Sequence, residues 1–211
     1  MEIKKFVFNA FQENTFVIWD AESKEAAVID PGCYTDNEKE QLKDFILSSE
    51  LKVRYLINTH CHIDHVLGNS FVQKEFSPDY LIHKDDLFLI DIQYEHCKKY
   101  GLDLEPFEKP NLLIEKDDVI KLGETEINLL FTPGHSPGEI SLYHKESNQC
   151  ITGDVLFREG IGRTDLWGGE YFTLMDSIQD VLFNLPDETI IYPGHGPESS
   201  IGHEKNNNPF I

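Results

Sequence analysis

Positive charge is what this chain has least of. Its 211 residues carry 18 Lys and Arg against 38 Asp and Glu, a formal net charge of −20. A nucleic-acid partner needs a cationic face to displace phosphate counterions, so no nucleic acid is expected. The acidity reads as a source of solubility, although bound divalent ions would make a site locally positive. Paired cysteines are missing too. Cys33, Cys61, Cys97 and Cys150 show no framework spacing, which points to free thiols in a reducing compartment rather than disulfides. No window approaches the roughly twenty apolar residues that span a bilayer, and the N-terminus lacks the basic-then-apolar layout of a signal peptide. No membrane partner is expected, and a cytoplasmic location is. No G-x-S-x-G elbow occurs, which removes one common serine nucleophile. Linkers, low-complexity tracts and short repeats are also absent, so one domain over residues 1–211 is the expectation. The sequence says nothing of oligomeric state.

What the chain does have is histidine, nine in all, and three of them fall with an aspartate in His60-Cys61-His62-Ile63-Asp64-His65. The apolar run Val53 to Asn58 before this block reads as a buried strand, and Val66 to Phe76 after it as an amphipathic helix. Neutral imidazoles and a carboxylate are ligands for Zn, Fe or Mn, and a loop at a strand end can converge several of them. So short a block cannot aim every side chain at one tetrahedral ion without strain. A split into His60/His62 and Asp64/His65 would serve two adjacent ions.

Around this block the chain alternates between strand and helix patterns. Ile3 to Asn9, Thr15 to Trp19 and Ala26 to Ile29 read as opening strands. The last ends at Asp30-Pro31-Gly32, where Asp30 is either turn chemistry or a carboxylate orienting the histidine loop. Asp36 to Ser49 reads as a helix capped by Asp36. Tyr80 to His83 is a strand, and Lys84 to Tyr100 a helix ending at Gly101. His83 and His96 lie outside any ligand spacing and read as surface or structural histidines. The Leu87-to-Tyr94 patch reads as core or lid packing. Strands follow at Val119 to Lys121, Glu126 to Phe131, Ile140 to Tyr143 and Cys150 to Thr152. A helix at Gly168 to Asn184, a last strand at Thr189 to Tyr192 and a polar tail complete the chain. Strands then helix in each half suggests two packed sheets with helices outside.

Three later strand ends each present one further candidate ligand beside glycine: Pro133-Gly134-His135, Gly153-Asp154 and Pro193-Gly194-His195. A Gly-His turn alone is common; four such strand-end loops in one chain are a specific pattern. With them the chain resembles the metallo-β-lactamase superfamily over nearly its whole length, through His60–His65, His135, Asp154 and His195 in order. Within it the chain is most similar to the short glyoxalase II type hydrolases. Gly160 to Gly169 resembles the loop after their bridging aspartate, and Ser200-Ile201-Gly202-His203-Glu204 with Asn208-Pro209-Phe210 resembles their C-terminal signature.

The resemblance implies an α/β fold, an αββα sandwich of two mixed sheets packed face to face with helices outside. It implies two divalent ions, Zn by expectation with Fe or Mn as alternatives. His60, His62 and His135 would hold one ion and Asp64, His65 and His195 the other, with Asp154 bridging. Ions about 3.5–4 Å apart share a water whose pKa falls towards neutrality. The implied reaction is attack of that hydroxide on a hydroxyacyl-glutathione thioester, S-D-lactoylglutathione giving D-lactate and thiol. A thiolate leaves readily, since its conjugate acid has a pKa near 8.5. Asp154 and Asp64 are the expected catalytic carboxylates, Asp64 as a proton shuttle. Arg163 corresponds to a basic residue that contacts the glutathione carboxylate in relatives, unless it is simply paired with Asp165. Tyr143 is expected to line the thiol-binding side, and Cys61 to be a bystander thiol. The full-length enzymes add a helical C-terminal domain with further glutathione contacts that has no counterpart in this sequence, which puts the thiol half in question. Two rival readings are a persulfide dioxygenase with one iron and a non-catalytic metal-binding module of the same fold.

Overall fold

The computed structural model describes residues 1–115 and 118–211. Its first sheet runs β1 (Glu2–Phe8), β2 (Glu13–Trp19), β3 (Glu25–Ile29), β4 (Lys52–Ile57), β5 (Asp79–His83) and β6 (Leu112–Ile114), in that spatial order. The first three strands pair antiparallel and β3 to β6 parallel, so the sheet is mixed. The second sheet takes β7 (Val119–Leu122), β8 (Thr125–Phe131), β9 (Ile140–His144), β10 (Gln149–Gly153), β13 (Ile190–Pro193) and β14 (Ser199–Ser200). Its spatial order is β14-β13-β10-β9-β8-β7, with only β10 and β13 parallel. A small ribbon, β11 (Leu156–Phe157) with β12 (Gly160–Ile161), stands apart.

Side-chain alternation explains why the sheets stack. In β3, Ala27 and Ile29 face one way and Ala26 and Val28 the other; in β2, Phe16 and Ile18 oppose Val17. Phe16, Ile18, Ile29 and Ile57 of the first sheet meet Ile127, Leu129, Leu142 and Ile151 of the second in one buried layer. Since period-2 strands with both faces apolar must be covered twice, helices take the outer faces. Helices α1 (Asp36–Ser48), α3 (Asn69–Phe76) and α4 (Leu87–Lys99) cover the first sheet through residues such as Leu42, Ile46, Val72 and Leu89. On the second, Leu174, Ile178 and Leu182 join Ile201 of α6 (Ile201–Asn207). This is the αββα sandwich. Among the described residues no helix is long and apolar enough to cross a membrane.

Several local expectations are corrected. Thr35, not Asp36, caps α1, in a reciprocal capping box with Glu38. The helix expected from Val66 to Phe76 is two pieces, α2 (Ile63–Val66) and α3, so helix begins inside the histidine block. The break falls at Leu67-Gly68, where Gly68 N donates to the Pro31 carbonyl and a side chain would strike Cys33 Sγ. The helix expected over Gly168–Asn184 starts at Tyr171 as α5 (Tyr171–Asp176) and opens into a π-helical turn at Ser177–Val181. That turn places Ser177 Oγ 2.6 Å from the Pro133 carbonyl it donates to, tying the helix to the loop of His135. The tail, expected to be merely polar, forms β14 and α6, where Ile201 is buried against Leu174, Ile178 and Leu182.

Candidate metal centre

Every ligand candidate stands at a strand end on one edge of the sandwich, where loops from both sheets meet. His60, His62, Asp64 and His65 follow β4, His135 follows β8, Asp154 follows β10 and His195 follows β13. The loops are brought this close by glycine. A side chain on Gly194 would run into Asp154 Oδ1 and lie 2.8 Å from His65 Cε1. Gly134, at φ 135°, has no room for a Cβ against the Leu174 backbone.

Two three-residue groups have donor atoms mutually within 4.8 Å: His60, His62 and His135, and Asp64, His65 and His195. Asp154 lies between them. Its Oδ1 is 3.6 Å from His65 Nε2, and its Oδ2 is 3.6 Å from both His135 Nε2 and His195 Nε2. Asp64 Oδ2 is 3.1 Å from His195 Nε2. A third combination, Asp30 with His60 and His65, meets the same distance. Both Asp30 oxygens are already taken by Thr59, from its N (2.7 Å) and its Oγ1 (2.6 Å), so Asp30 acts as a brace instead.

The residues fit a pair of cations. His60 Nε2, His65 Nε2 and Asp154 Oδ1 are buried without a hydrogen-bond partner, and His62 turns its Nδ1 to His135 Nε2. Buried polar atoms are normally satisfied, and three such orphans beside two facing ring nitrogens are what a cation site requires. The proton positions agree. His135 Nδ1 lies 2.7 Å from the Arg163 carbonyl, which can only accept, so the proton sits on Nδ1 and Nε2 is bare. His65 Nδ1 is 3.1 Å from Asp30 Oδ2. His60 Nδ1 is 3.1 Å from Thr59 Oγ1, whose own proton goes to Asp30. His62 Nδ1 faces His135 Nε2 at 2.8 Å.

Electrostatics set the charge states. Burial, then neighbouring imidazoles, pushes His60 well down, and His62 falls to about 3 by burial and His135. Burial alone would raise Asp154, but the imidazoles of His65, His135 and His195 outweigh it and hold the carboxyl down. Asp64 is likewise lowered, burial being outweighed by His65 and His195. His60 and His62 are thus neutral and both carboxylates ionised. For His65 and His195, burial is outweighed by Asp64 and Asp154, which raise both, so those two rings must give up a proton to ligate a metal.

Three buried carboxylates reinforce the loops, and only Asp30 was legible as a candidate. Asp86 Oδ2 accepts from Cys61 N and Ser136 Oγ, both at 2.9 Å, and its Oδ1 from Gly138 N at 2.6 Å. It thus ties the His60/His62 loop to the His135 loop. Glu139 Oε1 accepts from Asp154 N at 2.7 Å and sits 3.5 Å from His60 Nδ1. Neither carries a sequence signal beyond being an acid near a ligand, and 38 acids dilute that signal.

The remaining expectations separate. Cys61 is fully buried and burial drives its thiol pKa well up, which fits the expected bystander thiol. Tyr143 is not brought to the site. Its ring is buried on β9 with Cys150, Leu174 and Ile178, and its hydroxyl faces Asn148 Oδ1 at 3.4 Å. A β9 side chain of that parity points to the helical layer, away from the edge, so the thiol-lining role is withdrawn. Arg163 reaches the site, but its guanidinium makes a two-pronged pair with Asp165 at 2.6 and 2.8 Å. A cavity of about 430 Å³ opens over the ligands, with Phe11, His96, Tyr100 and Ile161 in its walls. A larger hollow, about 630 Å³ beside α3, holds none of the ligand residues.

The model of the metallo-beta-lactamase superfamily matches residues 8–195. The chain is 38% identical to the hydroxyacylglutathione hydrolase GloC of Haemophilus influenzae, across 100% of this chain and 98% of that one. It superposes on the BLEG-1 B3 metallo-beta-lactamase with a TM-score of 0.90 at 31% identity, covering 99% of each chain. TTHA1623 in a di-iron-bound form gives 0.88 at 30% identity, covering 99% of this chain and 100% of the other.

Proposed function

The chain belongs to the metallo-β-lactamase superfamily, and from that premise we propose that it is a dinuclear metal-dependent hydrolase of hydroxyacyl-glutathione-type thioesters, releasing D-lactate and thiol from S-D-lactoylglutathione. The observation that carries this reading is the position of Asp154, equidistant from ligands of both groups. His60, His62 and His135 would hold one ion, Asp64, His65 and His195 the second, and Asp154 would belong to both. Zn is the first expectation, with Fe or Mn acceptable to the same donors; a similar protein has a di-iron form. When bound, such a pair supplies an activated water and an electrophile for the acyl carbonyl.

The chain's own groups do the rest. Thr59 holds the His60 ring by a hydrogen bond, and the Asp30 carboxylate, 3.1 Å from His65 Nδ1 without a hydrogen bond, holds His65 by charge, so both Nε2 atoms face inward. The Arg163 carbonyl does the same for His135. Phe157, Ile161 and Leu166 line the cavity beside the ligands and limit bulk water around the scissile bond. Asp64 Oδ2, beside His195 and within the cavity, is placed to hold the proton released from the attacking water. The four free and buried thiols support a cytoplasmic setting.

The test is thiol release from S-D-lactoylglutathione by purified protein, with metal counted on the same sample. Enzyme-like turnover with about two metals per chain is the expected result. One iron per chain with oxygen consumed from a persulfide would replace this reading with the dioxygenase. Turnover of a β-lactam but of no thioester would move the chain to lactamase chemistry. Two metals and no hydrolysis of either would leave a binding module.

A further inference from the structure

The cavity over the metal ligands has two unlike faces. One is the ligand floor; the other is built by Phe11 from the β1–β2 turn and by His96 and Tyr100 from the end of α4. The rings of Phe11 and Tyr100 meet edge-on at 5.5 Å. His96 stands edge-on to Tyr100 at 5.0 Å and to Trp167 at 4.5 Å, and Trp167 in turn reaches His62 at 6.5 Å. Among the described residues His96 makes no hydrogen bond, and its Nδ1 is buried without a partner. A histidine spent purely on packing would normally satisfy both nitrogens. Arg163 is the one Lys or Arg in the described lining, and Asp165 already engages it in two hydrogen bonds. Away from the ions of the floor, a phosphate-rich arm would find no unpaired Lys or Arg in the described lining of this cavity.

We propose that this wall is a specificity subsite for the non-reacting arm of the substrate. The arm is an apolar chain or ring laid against Phe11 and Tyr100, with a single carboxylate or hydroxyl met by His96. The inference rests on the metal-dependent hydrolase reading but departs from its glutathione substrate, whose arm carries two carboxylates and an ammonium: this wall suits thioesters whose arm is apolar with a single carboxylate. A neighbouring hollow of about 390 Å³ shares His96 with this cavity and adds Ile92, Trp167 and Lys99 to its walls, so longer arms have room beyond His96. Aromatic faces suit such a role because they bind apolar chains without fixing one shape.

The probes are N-acetyl-S-alkylcysteines with ethyl, butyl and hexyl chains, thioethers that carry one carboxylate and cannot be hydrolysed. They are titrated by calorimetry into the metal-loaded full chain. Affinity should rise with chain length, by about fourfold per methylene at most. Phe11→Ala and Tyr100→Ala should flatten that rise; Tyr100 is exposed and Phe11 half-buried against Ile63 and Leu67, so metal content and thermal melting check that each variant keeps the fold. His96→Ala should weaken every probe by about tenfold and leave the chain-length slope intact. Against methyl esters of the same probes, the His96 change should lose most of its effect. Affinity independent of chain length, or a slope that Phe11→Ala and Tyr100→Ala leave unchanged, would overturn the subsite. Thioester hydrolysis is followed on the same samples. A slope without any hydrolysis would sink the hydrolase reading but keep the subsite; hydrolysis without a slope would do the reverse.

Discussion

The floor and the wall of the cavity are built on opposite plans. Three of the four floor histidines that follow β4 or β8 are held by a neighbour: His65 by the charge of Asp30, His60 by Thr59 and Glu139, His135 by the Arg163 carbonyl. Asp86 ties their two loops together. The wall has no such bracing. Its aromatic rings touch edge-on, Tyr100 is 55% exposed, and His96 has no polar partner among the described residues. Locked rings keep ligand geometry fixed where small displacements are costly. A wall of loose rings tolerates varied shapes, at the expense of discrimination. The difference teaches that chemistry and selectivity are separable here, and mutations should divide along that line.

The sharpest break is Asp154→Ala. It removes the one carboxylate between both ligand groups, and hydrolysis should fall by ~10³-fold or more with the fold retained. Circular dichroism and metal analysis check the two halves of that statement. If activity survived at a tenth of wild type, the shared-ligand assignment would be wrong. Chelation should come next in size. Ligands that bind only the folded state stabilise it, by about 2.7 kcal/mol at a hundredfold excess over Kd. For a chain of this size, stripping metal should lower Tm by roughly 5–10 °C, read by calorimetry with and without chelator and restored by Zn. No change in Tm would mean the floor is rigid without ions. Glu139→Gln keeps the shape but removes the charge beside His60. Metal affinity should drop about 10–100-fold, measured by competition with a chromophoric chelator, while the wall's probe affinities stay put. An unchanged metal affinity would reduce Glu139 to a partner of the Asp154 amide.

How much of this contrast the sequence carried follows from where each signal lies. His60, His62, Asp64 and His65 are legible because four ligands in six residues have no common structural cause. His135, Asp154 and His195 are legible only together, each being one polar residue after a glycine at a strand end. The sandwich follows from strand periodicity, which Ala26–Ile29 and Thr15–Trp19 show plainly. The two-residue strands β11, β12 and β14 are shorter than any period and could not be seen. Ligand spacing is a local criterion, and by it His96 counts as structural. It reaches the cavity through the placement of α4, and the distance from Phe11 to Tyr100 is bridged by tertiary packing alone. Asp86 and Glu139 escaped for the same reason, since their partners lie 15 to 52 residues away along the chain.

Arg163 straddles the two faces, and Arg163→Ala should have the smallest effect. Resemblance assigned its side chain to substrate, yet the structure gives the guanidinium to Asp165 and the backbone carbonyl to His135. Truncating the side chain leaves that carbonyl in place, so metal content should match wild type. The pair with Asp165 is well exposed, and exposed pairs contribute little to stability, so Tm should not move measurably. The Asp165 carboxyl, which Arg163 holds at about 2, would rise towards the usual carboxylate range, still ionised at neutral pH. Any kinetic change should stay within about threefold in kcat/KM, as expected when no interaction made in the transition state is removed. A tenfold rise in KM at constant kcat would show instead that substrate displaces Asp165 and binds the guanidinium. The wall would then hold a cation after all, and its selectivity would extend to arms with a second carboxylate.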